Sequence, residues 1–283
     1  MDACAEVMGR AVKPSQLRLV CAAMTYCLGM LLDAGLIMIA DTRTNAGVDN
    51  FSSFKKLHTL VDEPSRSIYA CTAGSLSMSQ SVIGLLQEGL PPPGGDEGRE
   101  TSSPDLNRTL KDAASMFRAA QLVGEAIQMA NATVGQALRQ INIDSWVSML
   151  LGGRIGDGRP SLYLIYSAGN FIECTPEVPF LQIGETKYGK PILDRGLSHS
   201  TPLHEAVKFG FLSFDSALRS NLGVARPLDM MVMPTDRSAP TLTRRIEQDD
   251  PYFDDLSDRW SRYLHQATEN IPNPPWMDAV GPA

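Results

Sequence analysis

The order of the predicted strands and helices indicates an α+β fold. The chain gives strands first, then two helices, then strands, two further helices and a last strand. Because the strands come in clusters and do not alternate one by one with helices, the order argues against a parallel doubly wound sheet. Two antiparallel sheets that face each other, with helices outside them, accommodate it. The predicted strands cover 25–32, 36–41, 67–73, 146–153, 161–167, 170–174 and 228–233.

The helices are predicted from apolar spacing and from capping residues. Over 116–141, apolar residues recur at steps of three and four, which predicts an amphipathic helix that buries one face. A second helix begins at Thr201-Pro202, where a capping hydroxyl precedes a proline at the first helical position. Residues 75–90 also have helical character, and a short glycine-containing turn at 33–35 joins the first two strands.

Two segments differ from this pattern. The stretch 91–105 is polar and rich in proline and glycine, which predicts a surface loop. In the C-terminal extension, 236–283, an aromatic stripe over 252–264 predicts an amphipathic helix. This helix packs on its own domain, the interpretation we favour, or it forms a subunit contact, since aromatic residues are enriched at interfaces. Residues 272–276 are predicted to be extended.

Composition narrows the function classes. The chain has 283 residues, of which 43% are apolar and 20% charged, as is usual for a globular protein. The net charge of −7, with no large cluster of lysine and arginine, argues against a partner that is nucleic acid or an anionic membrane. No apolar run approaches the roughly 20 residues that span a bilayer.

Cysteine and histidine usage indicates neither disulfides nor a metal. Five cysteines lack C-x-x-C spacing, which predicts buried thiols in a reducing compartment. Four scattered histidines lie too far apart for a zinc motif, so we predict no metal and no cofactor. The apolar stretch 19–24 is shorter than a secretory signal core of roughly 7–15 residues. We therefore predict a cytoplasmic protein.

Four residues form a candidate catalytic set: Thr25, Asp41, Lys56 and Gly74. An alcohol is a poor nucleophile until a base removes its proton, and an α-amino group, with a pKa near 7.7–8.0, is such a base. A threonine at the start of a chain therefore supplies both groups. The cation of Lys56 would lower the pKa of the amine and of the hydroxyl, while Asp41 would hold Lys56 in place. Gly74, at a strand-to-helix turn, can present a backbone N–H to an oxyanion.

The spacing and the surrounding motifs resemble the proteasome β-subunits and, within them, the bacterial ancestral-β-subunit branch called Anbu. An acid follows Thr25 by 16 residues and a lysine by 31. The motifs that carry the resemblance are Lys55-Lys56-Leu57, Ala73-Gly74 and the Anbu-like phrase Ile183-Gly184-Glu185-Thr186-Lys187-Tyr188-Gly189-Lys190. The match covers about 25–235 and implies a four-layer αββα sandwich of the N-terminal nucleophile hydrolase type.

The resemblance also assigns supporting residues. Glu185 stands where ordinary β-subunits carry a supporting serine, and Asp229 matches the aspartate that helps to orient the N-terminus. A specificity pocket is expected near 44–45, 69 and 72–73. The partners implied are a peptide or protein substrate and further copies of the chain, in a homo-oligomeric ring or a helical assembly.

Removal of residues 1–24 decides whether Thr25 can act, because an amide nitrogen has no usable basicity. Either autolysis removes a propeptide, or Met24 is the initiator and an aminopeptidase trims it. We favour the second route, since the family typically begins Met-Thr-Tyr-Cys. Cys27 lies on the same strand face as Thr25, but its amine is held in a peptide bond. We expect it to be a small buried apolar residue.

Three functional hypotheses follow. The first is a threonine-type peptidase subunit that hydrolyses peptide amide bonds with Thr25. The second is an assembly or scaffold protein of the same fold with little or no activity, and Glu185 and the long C-terminal extension keep it open. The third is an amidase that acts on a small peptide-like metabolite.

Overall fold

The computed structural model describes residues 25–45, 51–92, 108–141, 143 and 145–279. The predicted extension 1–24 and most of the predicted loop 91–105 lie outside these ranges. The strands are β1 (Tyr26–Leu32), β2 (Gly35–Asp41), β3 (Arg43–Asn45), β4 (Phe51–Ser53), β5 (Leu57–Glu63), β6 (Arg66–Gly74), β7 (Val147–Ile155), β8 (Ser161–Ile165), β9 (Phe171–Glu173), β10 (Phe180–Gly184), β11 (Leu228–Pro234) and β12 (Leu242–Ile246). The helices are α1 (Leu76–Glu88), α2 (Met116–Ala130), α3 (Gln136–Gln140), α4 (Lys190–Gly196), α5 (Leu203–Ser220) and α6 (Pro251–Asn270).

The first sheet has the strand order β10-β1-β2-β11-β12, and its strand pairs are antiparallel. The β1–β2 hairpin turns through Asp33 and Ala34 into Gly35, as the sequence predicts. A Cβ at Gly35 would lie 2.3 Å from the carbonyl oxygen of Met233 on β11. Glycine at this position therefore lets the hairpin lie close against its neighbouring strand.

The second sheet has the strand order β5-β6-β7-β8-β9 and is also antiparallel. Helices α1 and α2 cover its outer face, and α5 covers the outer face of the first sheet. The inner faces of the two sheets pack together through residues such as Met38, Leu150 and Met231. These layers form the four-layer αββα sandwich, so the predicted fold is confirmed. Cys27 is fully buried between the sheets, as expected.

The helix predicted over 116–141 is interrupted in the structure. Regular α-helix ends at Ala130, a π-helical stretch follows over Asn131–Gly135, and α3 completes the segment. The π-helical stretch rotates the residues that follow it relative to the apolar face of α2. Within this stretch, only Gly135 is buried. Apolar spacing therefore predicted the extent of the helical segment correctly and missed its irregular centre.

The C-terminal extension adds a strand as well as a helix. β12 pairs with β11 along the edge of the first sheet, and the sequence analysis did not predict it. Its exposed Arg244 and Arg245 are typical of an edge strand that avoids further pairing. The predicted helix is α6, where the Asp250 side chain accepts a hydrogen bond from the Phe253 amide at 3.0 Å.

Helix α6 packs on its own domain through its first turns only. Phe253 is buried and Leu256 packs against the same core cluster, but Tyr263 and Leu264 are exposed. The favoured interpretation thus holds for the beginning of the helix. The segment predicted to be extended instead ends in a 3-10 turn over Pro275–Ala279. None of the helices in the described ranges is long and apolar enough to cross a membrane.

Candidate active site

A buried ion pair lies where β2 ends and β5 begins. The Lys56 ammonium donates to Oδ1 of Asp41 at 2.8 Å, and it also donates to the backbone carbonyl of Arg43. The Asp41 side chain is fully buried and the Lys56 side chain is 7% exposed. The structure therefore brings together two of the residues that the sequence analysis selected, Asp41 at the end of a strand of one sheet and Lys56 directly before a strand of the other.

Asp41 also holds the beginning of β1. Its Oδ1 accepts a hydrogen bond from the amide of Tyr26 at 2.9 Å, and its Oδ2 accepts one from the amide of Arg43 at 3.2 Å. Burial raises the pKa of Asp41 to about 6, against the opposing effect of the Lys56 cation. One carboxylate thus fixes Lys56 and the residue next to Thr25 in a single arrangement.

Thr25 is held from its other side by the Gly184-Glu185 turn. Its carbonyl oxygen accepts a hydrogen bond from the Glu185 amide at 2.6 Å. Gly184 has φ +82°, and a Cβ there would lie 1.9 Å from the same oxygen. Glycine is therefore required for this close approach.

Gly74 ends β6 and lines a cavity that Thr25 and Lys56 also border. The amide of Thr72 donates to the Lys56 carbonyl at 3.1 Å, whereas the amide of Ser75 donates to the Trp146 carbonyl at 2.9 Å. Because successive amides of a strand point to opposite edges, the Gly74 N–H lies on the same edge as that of Thr72. That edge is the β5 side of β6, where the Lys56 carbonyl accepts from the Thr72 amide.

Glu185 contacts Thr25 through its backbone and not through its carboxylate. The carboxylate accepts hydrogen bonds from the Lys187 amide at 2.9 Å and from the Asn221 side chain at 2.8 Å. These bonds tie the turn after β10 to the C-terminal end of α5. The side chain therefore stabilises the turn whose amide holds Thr25.

The Asp229 side chain pairs with a residue of the neighbouring strand β12. Its carboxylate accepts two hydrogen bonds from Arg245 on β12, at 2.9 and 3.2 Å. Among the described residues, no hydrogen bond joins Asp229 to Thr25. Asp229, Arg244, Arg245 and Lys55 line a second cavity of about 230 Å³. The role of Asp229 in orienting the N-terminus stays a prediction.

Thr25 and Lys56 border a cavity of about 310 Å³. Thr44, Thr72 and Ala73 line it, in agreement with the expected specificity pocket. Tyr69, expected in the same pocket, instead lines the second cavity.

The sequence analysis missed the contribution of α1 and of one histidine. Residues of one face of α1, including Ser79, Gln80, Gly84 and Gln87, line the cavity, and so does His58 on β5. Burial lowers the pKa of His58, and the neighbouring Lys55 cation acts in the same direction. The one signal in the sequence was the helical character of 75–90. A helix that begins directly after Gly74 has to pass beside the end of β6, and so it can line a cavity there.

Comparison with solved structures identifies the family. A protein chain in the helical assembly of the Anbu complex from Pseudomonas aeruginosa is 42% identical in sequence to this chain. The two structures match with a TM-score of 0.78 over 89% of this chain and 98% of that one. The chain belongs to the Anbu family. Anbu from Hyphomicrobium sp. strain MC1 is 42% identical, with a TM-score of 0.73 over 88% of this chain and 99% of that one. Anbu from Yersinia bercovieri is 39% identical, with a TM-score of 0.76 over 88% and 98%.

These matches confirm the resemblance to the Anbu branch of proteasome-type β-subunits. No protein-family model and no curated protein sequence matches the chain. Within the described ranges of this Anbu chain, no cluster of three or more His, Cys, Asp or Glu side chains could hold a metal ion.

Proposed function

We propose that this Anbu chain is a threonine-type peptidase subunit whose nucleophile is Thr25, freed by removal of residues 1–24. The observation that carries the proposal is the buried Asp41–Lys56 pair at the wall of the cavity that Thr25 borders. Burying two charges costs free energy that apolar packing avoids, and such pairs with a shifted pKa concentrate at functional sites.

The proposed reaction is an acyl transfer to the Thr25 hydroxyl, followed by hydrolysis. The free amine of Thr25 takes the proton of its own hydroxyl, and the oxygen attacks the substrate carbonyl carbon. The Lys56 cation favours the ionised hydroxyl and the neutral amine. The oxyanion receives the Gly74 N–H, and the ammonium of Thr25 then protonates the leaving amine. Water, deprotonated by the same amine, attacks the Thr25 ester. The bond from the acyl carbon to Oγ1 breaks, the ammonium returns its proton to that oxygen, and the acid product leaves.

Asp41 acts as a positioning residue in this scheme. Its carboxylate contacts Lys56 and the Tyr26 amide, so it fixes the cation relative to Thr25 without touching substrate. Glu185 acts through its amide, which holds the Thr25 carbonyl. Both contacts limit the motion of a residue at the start of a strand, where a chain otherwise frays.

The proposal also covers self-assembly of the chain and its location in the cell. The relative from Pseudomonas aeruginosa is described as a helical assembly. We infer that this chain also assembles with copies of itself, as an open helical or a closed ring arrangement. Cys27, Cys71 and Cys174 are free thiols, which fits a reducing compartment such as the cytoplasm.

The second candidate is a scaffold of the same fold with little activity. It is favoured by the pairing of Asp229 with Arg245, because the residue expected to orient the Thr25 amine is engaged elsewhere. An amidase for small peptide-like metabolites differs from a peptidase only in its substrate, and turnover of peptides against small amides separates the two.

The test is the intact mass of the purified protein before and after treatment with a peptide epoxyketone, an electrophile for N-terminal threonine. We expect a mass that begins at Thr25 and gains one adduct. Thr25→Ala should gain none, while the control Thr268→Ala, whose hydroxyl bonds only within α6, should gain one. An unprocessed mass without an adduct would contradict the proposal. Expressing the chain from Met1 and from Met24 distinguishes autolysis from aminopeptidase trimming.

A further inference from the structure

The charges around the cavity beside Thr25 differ in sign from those of the whole chain. The chain carries a net charge of −7. The described residues that line the cavity nevertheless include Lys55, Lys56 and His58, and none of them is an aspartate or a glutamate. Because Asp41 neutralises Lys56 and burial lowers the pKa of His58, the net positive charge that can attract an anion to this cavity is that of Lys55.

We propose that this cavity binds an acidic side chain, so that the enzyme cleaves peptide bonds that follow glutamate. The inference rests on the proposed function of Thr25 and adds the class of substrate to it.

Lys55 is the cation that is left for a substrate. Lys56 is neutralised by Asp41, Arg245 by Asp229, and Arg244 lies 3.5 Å from Asp250. Within the described part of the chain, no ion pair engages Lys55, which borders both cavities. An anionic group in the first cavity would therefore gain an attraction that no protein carboxylate already uses.

Polar groups that line the cavity from β5 and α1 complement this cation. His58 pairs across the sheet with Ala70, which packs in the core cluster under α1, so His58 lies on the α1 side of the sheet. Ser79, Gln80 and Gln87 line the cavity from α1 and can donate hydrogen bonds to a carboxylate. Phe54, Leu76 and Ile83 add apolar lining, against which the methylene groups of a glutamate can pack while these donors bind its carboxylate.

The shape of the cavity suits a side chain longer than aspartate. Its volume is about 310 Å³, and α1 presents Gly84 to it without a side chain. A Cβ at Gly84 would meet no other atom within 4 Å. The helix thus leaves room in the cavity beside Gly84.

The activity test uses four fluorogenic peptides that differ only in the residue before the cleaved bond: Glu, Gln, Leu or Lys. We expect kcat/KM for the Glu peptide to exceed that for the isosteric Gln peptide at least about fivefold at low salt. In Lys55→Ala this ratio should fall to about one, whereas Lys208→Ala, an exposed lysine on α5, should keep it. An equal or better Gln, Leu or Lys peptide, or a ratio that survives in Lys55→Ala, would overturn the inference.

A binding test separates this inference from the proposed function. The Thr25→Ala protein is titrated with the uncleaved Glu and Gln peptides. Tighter binding of the Glu peptide, lost in Thr25→Ala/Lys55→Ala, supports the acidic pocket even if the wild type gains no epoxyketone adduct. Equal affinities refute the acidic pocket even if Thr25 reacts.

Discussion

The Lys56 ammonium and Oδ1 of Asp41 lie 2.8 Å apart, and both side chains are almost completely shielded from solvent. The pair joins the end of β2 in one sheet to the residue before β5 in the other, and Asp41 also accepts a hydrogen bond from the amide of Tyr26 at the start of β1. Substitutions that remove this ion pair should therefore lower both the free energy of unfolding and the reactivity of Thr25, and the two effects can be measured separately.

Lys56→Met should destabilise the protein strongly at neutral pH. Removing one partner of a buried pair leaves a buried charge and costs about 3–5 kcal/mol. The Lys56 cation opposes the rise in the Asp41 pKa, so its loss raises that pKa further, and the cost should shrink at pH 5 as the carboxyl protonates. Urea denaturation at the two pH values measures this. Lys55→Met, at an exposed neighbour, should change the free energy of unfolding by less than about 0.5 kcal/mol.

Asp41 should give stability a defined pH dependence. Its pKa is raised from 3.8 to about 6, so the native state binds more protons than the unfolded state within this window. Relative to Asp41→Asn, the free energy of unfolding of the wild type should fall as pH rises through the window and stay level above it. A difference that is flat from pH 4 to pH 6 would show that the carboxyl titrates normally.

Gly184→Ala should displace Thr25. The new methyl group would collide with the Thr25 carbonyl, so we expect at least about a tenfold loss in the rate of epoxyketone modification. Gly156→Ala is the matched control, because Gly156 also has positive φ (+61°) but has open space around its Cβ position. It should lose about 1 kcal/mol of stability and keep the rate. Equal effects of the two substitutions would mean that backbone strain alone is responsible.

Gly84→Leu should close the cavity without disturbing the fold. Nothing lies within 4 Å of a Cβ there, and leucine is a better helix former than glycine by about 0.8 kcal/mol. A bulky peptide epoxyketone should react at least about tenfold more slowly with this variant, and Gly84→Ala should react nearly as the wild type does. Unchanged reactivity of Gly84→Leu would place substrate elsewhere.

Asp229→Asn and Arg245→Gln together test the role of Asp229. If Asp229 orients the Thr25 amine, Asp229→Asn should slow epoxyketone modification about tenfold while Arg245→Gln has a small effect. If the carboxylate serves the cross-strand pair, both variants should lower stability alike and leave the modification rate unchanged. The two rates, measured at one temperature well below either Tm, decide between these roles.

Much of the fold could be predicted because it depends on local patterns. The clustering of the strands indicated antiparallel sheets. Asp41 and Lys56 form the ion pair that the sequence analysis expected. β12 could not be predicted, since its exposed edge sequence lacks an apolar pattern. The Asp229–Arg245 pair went unrecognised for the same reason, because it exists only when β12 lies beside β11.

The remaining parts of the site depend on tertiary packing. Glu185 was selected for its side chain, yet its amide makes the contact with Thr25. Nothing in the sequence distinguishes these two roles. Gln80 lines the cavity from α1 and His58 lines it from β5, and apolar spacing does not define how a helix lies against a neighbouring strand.

The central claim is that the hydroxyl and the amine of Thr25 act together. The most direct measurement is fragment mapping of the epoxyketone adduct, because this reagent closes a ring only with a residue that offers both groups. We predict a single adduct on the N-terminal peptide that begins at Thr25, bonded to its Oγ1 and its nitrogen. An adduct on Cys27 or Lys56, or a Thr25 whose amine is still joined to Met24 in a protein that cleaves peptides, would contradict the account.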